Sequence, residues 1–277
     1  MHIIGFGGAG CKIAKLFEKH SQYDIHYIDV GIAGTNSYAL PKATTTEQAE
    51  NSIPKFTNLI TKLTEKVTFI CAGSGITSGA TLATLEQLKH LDINIVYVRP
   101  DLNFLSEAAK LRQKVVYGVL QEYARSGLFK KISLFDNVAI SKVLGDLSIT
   151  EYFAKINDII ANSIHMLNFL KNGDSIMSNI SEPRNINRIS TIGLYDMKEE
   201  EEKYFFEIKD VRQKNFYFAF NEKTLNEEKN LLNKISEQVK KAGQSEHTNV
   251  SYNITSTTYD VDFAYVEAYT NFVQEIA

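Results

Sequence analysis

Two glycine-rich stretches hold the residues best suited to chemistry. "GFGGAG", residues 5–10, follows the apolar Ile3 and Ile4 and places Gly5, Gly7 and Gly10 at the spacing of a dinucleotide-binding fingerprint. "CAGSGITSG", residues 71–79, offers small side chains, hydroxyls and unhindered backbone N–H groups just ahead of a helical pattern. Such loops hold anionic oxygens through oriented amides and the positive end of a helix dipole. Asp29 ends the next strand-like run, where a carboxylate can meet a ribose. The first loop with Asp29 reads as the cofactor site of an NAD(P)- or FAD-dependent Rossmann oxidoreductase. The second loop has no task in that reading. Two phosphate loops on one sheet suit a di- or triphosphate pinched between them.

The elements that must position these loops follow from periodicity. Residues 2–5, 24–30, 67–73, 93–100 and 131–137 are short apolar or alternating runs of the kind found in parallel sheets. Between them, 9–19, 78–91 and 105–127 carry apolar residues at helical spacing, the last closed by Gly127. Strands alternating with helices predict an α/β doubly wound, mostly parallel sheet, with ligands at the carboxyl ends of the strands. Residues 148–171 predict a central helix that opens with a Ser148/Glu151 capping box and is apolar on nearly all faces, hence buried on nearly all faces. Residues 172–188 are polar and irregular. The remainder, 189–277, reads as a smaller α+β domain of about four strands around one helix at 226–243, with "MKEEEEK" (197–203) a solvated turn.

Composition bounds the alternatives. The 277 residues are 44% hydrophobic and 23% charged with a formal net charge of -3, so a soluble globular chain is expected and nucleic acid is not a main partner. No apolar run is long enough to span a membrane, and the N-terminal strand leaves no room for a signal peptide, which makes a cytoplasmic protein the expectation. Cys11 and Cys71 are too few for a disulfide scaffold or a thiolate zinc site; packing beside the glycine loops explains both. The histidines, His2, His20, His26, His90, His165 and His247, form no suggestive cluster for acid/base work, and His165 falls on the central helix as a core residue.

At this point the chain resembles the tubulin/FtsZ family. "GSGITSG" resembles the family's glycine-rich signature, keeping glycines at 73, 75 and 79 and hydroxyls at 77 and 78 while losing the inner glycines. "GFGGAGCK" resembles its opening phosphate loop, "VYVRPDLNFLSEAAKLRQ" its strand, proline loop and helix, "LFDNVAIS" its strand and Asn-containing loop, and "EYFAKINDII" the start of its central helix. The ordered set runs from residue 2 to about 182, and the compact chain, without an N-terminal extension or long C-terminal tail, is similar to the divergent plasmid and bacteriophage members.

The resemblance implies a GTP-binding domain over 1–147, a central helix over 148–171, a catalytic loop region over 172–188 and a C-terminal α+β domain over 189–277. It implies GTP or GDP held by Gly5, Gly7, Gly8, Ala9, Gly10 and Cys11 on one side and Gly73, Ser74, Gly75, Ile76, Thr77, Ser78 and Gly79 on the other. Asp29 would lie at the ribose or metal edge. Phe153 would stack on the guanine, with Asn157, or its neighbour Asp158, and Asn137 reading the base edge. Mg2+ would be held mainly by phosphates and water. It further implies head-to-tail homopolymers, DNA- or capsid-linked adaptors as partners, and hydrolysis completed in trans by the loop after the central helix. There Glu182 matches the second acid of the family pattern, whereas Asn179 replaces the first; Asp174 is the alternative in a shifted alignment. An amide orients water but takes no proton, so a nucleotide-binding filament or capping protein with little or no hydrolysis stays open. The proline loop departs from the family, with Glu107 and Arg112 displaced from the expected positions after Phe104.

Overall fold

The computed structural model describes residues 1–64, 66–243 and 248–275; His247 and the end of the chain lie outside the described residues. The first half alternates as expected: β1 (His2–Phe6), α1 (Gly7–Lys15), β2 (Asp24–Val30), β3 (Ser37–Leu40), α2 (Thr46–Asn51), α3 (Thr57–Ile60), β4 (Lys66–Cys71), α4 (Thr81–Leu88), β5 (Asp92–Arg99), α5 (Glu107–Ser126), β6 (Lys131–Asp136) and α6 (Asn137–Leu144). Then come α7 (Tyr152–Asn172), β7 (Ser175–Ser178), β8 (Ile189–Asp196), β9 (Glu201–Tyr204), β10 (Gln213–Asn221), α8 (Glu222–Glu227), α9 (Leu231–Ala242), β11 (Asn249–Thr257) and β12 (Phe263–Thr270).

Among the described residues twelve strands join one mostly parallel sheet, ordered β3-β2-β1-β4-β5-β6-β8-β12-β10-β11-β7, with β9 pairing β8. Pairing of β6 with β8 spans only Ile132–Leu134 against Ile189–Thr191, a narrow waist between two broader halves. Alternation along the strands sends side chains to opposite faces. Ile4, Phe69, Ile95 and Tyr97 meet α4 and α5 residues such as Leu85 and Leu120 on one face. Ile3, Ile70, Val96 and Val98 meet α1, α6 and α7 on the other. A third core forms where Ile235 and Val239 of α9 cover Phe216, Phe218 and Ile254 of β10 and β11.

Several boundaries differ from the sequence expectations. Helix α7 starts at Tyr152, not 148: the Ser148 hydroxyl bonds the Glu151 carboxylate at 2.6 Å rather than capping a backbone N–H, and Ile149 is 95% exposed. The helix is also not buried all round. Ile156, Ile160, Ile164, Leu167 and Leu170 form the inward stripe, while Phe153 and Phe169 face out. The single helix at 226–243 is two, α8 and α9. Glu201–Lys203 belong to β9, because Glu202 takes Lys214 at 2.8 Å and the Tyr204 hydroxyl at 2.6 Å. The histidines do pair: His2 Nδ1 lies 3.3 Å from His26 Nε2, and His20 stacks on His165 at 3.6 Å. The first pair is buried between β1 and β2, whereas the second is half-exposed, between the turn after α1 and α7.

The waist is pinned by charge. Glu267 of β12, fully buried, accepts from Lys131 of β6 at 2.5 Å and from Lys171 in the last turn of α7. Burial pushes the Glu267 carboxyl up, and the two ammoniums more than offset this, holding it well below the usual carboxylate range. A carboxyl depressed in the folded state stabilises fully above its unfolded value and loses that contribution as pH falls towards the folded one. Wild-type stability should therefore drop as pH is lowered through about 5 and below, with part of that slope absent in Glu267→Gln. The same variant should lose about 3 kcal/mol near neutrality, since two ammoniums lose their partner. Urea midpoints across pH check both.

Candidate functional site

The two glycine loops meet at the point where the strand order reverses. The chain leaves β1 towards β2 and β3 and returns to β4 on the other side, so the loops after β1 and β4 lie side by side at the carboxyl edge. Gly7 adopts a left-handed φ of +67°, and a Cβ there would stand 3.9 Å from the Thr77 methyl of the other loop. No side chain caps α1 and no acid occupies its first turn, leaving the amides of Gly8 and Ala9 facing outward. Gly75 is open on the opposite side, with nothing within 4 Å of a built Cβ.

The remaining loop glycines serve backbone approach. A Cβ at Gly10 would lie 2.2 Å from the Ile70 carbonyl oxygen, and one at Gly79 would lie 2.3 Å from the Thr46 oxygen of α2. Gly5 abuts Ala14 and the Gly10 carbonyl, and Gly73 sits beneath the Tyr97 hydroxyl. Two side chains also turn away from a ligand. The Cys11 thiol donates to the Gly5 carbonyl at 3.2 Å, and burial, with Asp29 adding to it, pushes it up to about 12. The Ser78 hydroxyl is spent on the Gly73 and Gly75 carbonyls at 2.8 and 2.6 Å, and its amide bonds Gly75 as well. Cys11 and Ser78 therefore shape the loops rather than offering free donors. Ser74, Ile76 and Thr77 remain half-exposed.

Asp29 ends β2 beside the first loop; its Oδ1 accepts from the Val30 amide at 2.8 Å and its Oδ2 lies 3.8 Å from a Cβ built on Gly8. Asn137, 7% exposed, opens α6 after β6, and its Oδ1 has no partner. An unpaired buried acceptor costs about 1–3 kcal/mol unless something supplies a donor. Phe153 is 60% exposed at the start of α7, edge-on to Tyr152, and Asn157 lies one turn further, half-buried; Asp158 beside it is half-buried too. Asp136 and Arg99 escaped the sequence reading, which named Arg112 only as displaced from its expected position. Asp136 caps α6 through the Val138 amide at 3.0 Å and pairs with Arg99, which fixes the approach to Asn137. Arg112 of α5 donates Nε–H to the Ser74 carbonyl at 3.0 Å and so holds the second loop. The sequence signal was faint: Arg99 and Asp136 each close a strand, and Arg112 shares one helix turn with Gln113.

The residues after α7 lie elsewhere. Helix α7 runs from Tyr152 near Asp136 to Asn168 beside Met1 at the amino edge, about 30 Å for 21 residues. Neither Asn179 nor Glu182 can reach the glycine loops of its own chain. The segment is not wholly irregular, because β7 pairs antiparallel with β11 and the Asn179 side-chain oxygen accepts from the Tyr252 amide at 2.7 Å. Glu182 and Asp174 are exposed. A cavity of about 1560 Å³ also opens at the amino edge, beside His90 and Gly173, and holds none of the site residues read from the sequence. No helix among the described residues is long and apolar enough to cross a membrane.

The open backbone crevice gives a direct check on loop packing. Gly10→Ala should lower stability by about 3 kcal/mol or more because its Cβ meets backbone that cannot move aside, whereas Gly75→Ala should be nearly neutral for folding. Urea unfolding of the two variants separates the packing glycine from the open one.

No protein-family model matches the sequence, and no curated protein matches it. Solved structures do. An FtsZ dimer from M. jannaschii superposes with a TM-score of 0.69 at 12% identity, covering 97% of this chain and 87% of that one. A GTPγS-form protofilament of TubZ from Bacillus thuringiensis serovar israelensis gives 0.72 at 12% identity, with 99% and 87% covered. CetZ2 from Haloferax volcanii, a GTPγS-bound protofilament, gives 0.70 at 14% identity, with 97% and 92% covered. The strand order from β3 to β6 alone would also suit a dinucleotide-binding domain; the likeness over nearly the whole chain decides the matter, and the protein has a tubulin/FtsZ-like fold.

Proposed function

We propose that the protein binds GTP and GDP between its two glycine loops and assembles head to tail into filaments, the next subunit completing hydrolysis. One observation carries this reading: the phosphate-type loops and the acidic residue expected to serve them lie at opposite edges of the same subunit. Such a division works only if a second copy brings its amino edge to the first copy's carboxyl edge. That heterologous contact does not close and so propagates.

The α1 amides at Gly8 and Ala9, with the backbone of Ser74 to Thr77, are suited to the phosphates. Phe153 offers an exposed ring to the base, while the orphan acceptor of Asn137 and the carboxamide of Asn157 are suited to a guanine edge that donates and accepts. Asp29 would face the ribose or the metal side. Mg2+, when bound, would supply charge neutralisation on the phosphates. Glu182 would orient or deprotonate the attacking water of the neighbouring site.

A second reading has an observation of its own. Asn179 is tied to β11 through its side-chain oxygen, so it is poorly placed to act on a neighbour's water, and only Glu182 is left. Slow turnover, or a nucleotide-binding filament with little hydrolysis, follows from that arrangement. DNA- or capsid-linked adaptors and a cytoplasmic setting complete the proposal by likeness to compact members of the family.

Light scattering with GTP and magnesium, against ATP and NADH, with phosphate release followed in parallel, tests the reading. A GTP-specific rise supports it; tight NADH binding without any rise overturns it in favour of an oxidoreductase. Phe153→Ala should weaken GTP binding about tenfold, the loss of one stacked ring, without lowering the unfolding midpoint. Glu182→Gln should cut phosphate release by about a hundredfold while leaving GTP affinity of the monomer unchanged. Equal release in the variant would remove Glu182 from the chemistry.

A further inference from the structure

At the amino edge, below the waist of the sheet, a cavity of about 630 Å³ runs between the lower ends of β4, β5 and β6, the last turns of α7 and the segment before β8. Its charge runs against that of the molecule. Six basic side chains and three acidic ones line it, in a chain whose formal net charge is -3. Lys131 and Lys171 line it, both bonded to the single carboxylate of Glu267. Two ammoniums share one buried carboxylate, so the group carries surplus positive charge, with Lys131 half-buried and Lys171 exposed. Burial lowers the Lys131 ammonium, Glu267 opposes that, and Lys171 adds to it. Each lysine also lies near an aromatic ring, Lys131 at 5.8 Å from Tyr269 and Lys171 at 5.5 Å from Tyr217, which limits where the ammoniums can move.

A second observation is independent of the lysines. Asn187 lines the same cavity, is 5% exposed, and its Oδ1 has no hydrogen-bond partner. Turning the carboxamide over presents the Nδ2 donor there instead. Arg184 and Lys66 stand exposed at the rim. A surplus of positive charge facing the cleft, a buried unsatisfied amide and a basic rim together describe a receptor for an oxyanion.

We propose that this cleft binds a phosphate-type oxyanion through Lys131, Lys171 and Asn187, with Arg184 at its mouth. Two sources offer that chemistry: free inorganic phosphate, and the terminal phosphoryl group of a nucleotide carried by a second copy. The oxyanion site itself stands without the nucleotide reading; only the second source rests on it.

The test is a titration of inorganic phosphate with the nucleotide-free full chain, followed by phosphorus NMR line width at constant ionic strength in chloride. Wild type should broaden the line saturably. Lys171→Gln should weaken apparent binding about tenfold, as loss of a charge-assisted contact does. Arg184→Gln, on the exposed rim and harmless to folding, should weaken it about threefold. Phe153→Ala at the opposite edge should change nothing. Absence of saturable broadening, or broadening untouched by Arg184→Gln, overturns the proposal even if Lys171→Gln does not fold.

A second arm separates the sources. If the neighbour's phosphoryl group is the ligand, phosphate competes with GTP-driven scattering and Arg184→Gln raises the protein concentration needed for assembly. If free phosphate is the ligand, assembly is unchanged and the line-width effect persists. Failure of the nucleotide reading would show as no GTP-dependent scattering at all and would leave the phosphate result standing.

Discussion

Backbone touching backbone is the constraint on which the carboxyl edge depends. Helix α1 must lie against the Ile70 carbonyl, and the turn before α4 must lie against Thr46, at separations that leave no room for a Cβ. Once those contacts are made, the loops after β1 and β4 come together and their outward amides face one crevice. Glycine is therefore used in two ways within a few residues. Gly5, Gly10, Gly73 and Gly79 let elements close on one another, whereas Gly8 and Gly75 keep the surface bare. Arg112 and Asp136 finish the job from the neighbouring elements by holding the Ser74 carbonyl and the start of α6.

Helix α7 converts this local geometry into a separation. Its inward stripe is gripped between α1 and the strands beyond the waist, so its length sets the distance between Phe153 at one edge and the β7 region at the other. The same helix ends at Lys171, which with Lys131 clamps Glu267 where only three residue pairs join the two halves of the sheet. A weak strand pairing is thus reinforced by a buried ionic clamp. The clamp has more positive than negative charge, and all three of its residues line the cavity at the amino edge.

The alternating first half was legible because buried parallel strands are continuous apolar runs and their helices keep a clear period: β2, β5, β6 and α5 fall within a residue or two of their sequence-based limits. What escaped was short or polar. Strand β3 and helix α2 lie in a stretch without periodicity, yet α2 supplies the Thr46 carbonyl that makes Gly79 necessary. Strand β9 hides in a run of glutamates because Glu202 pairs with Lys214 from another strand, a partner no local window contains. Strand β7 is four residues long and exists only because β11 lies beside it. The capping pair at Ser148 and Glu151 failed for the opposite reason: its residues bond each other and leave the backbone to a turn.

Residue type and spacing alone determined the fold class, the two glycine loops and the ordered resemblance that runs through them, because those follow from periodicity and from the few residues that let backbone come close. Tertiary structure alone decided which members of each loop face outward. Cys11 and Ser78 belong to the loops by sequence, yet their side chains bond neighbouring carbonyls. It also decided that Asn179 is held by Tyr252 and that Lys131, Lys171, Asn187 and Glu267, far apart in the chain, line one cavity. Hydrogen-bond partners and shared charge are set by distances between remote segments, and no pattern along the chain encodes those directly.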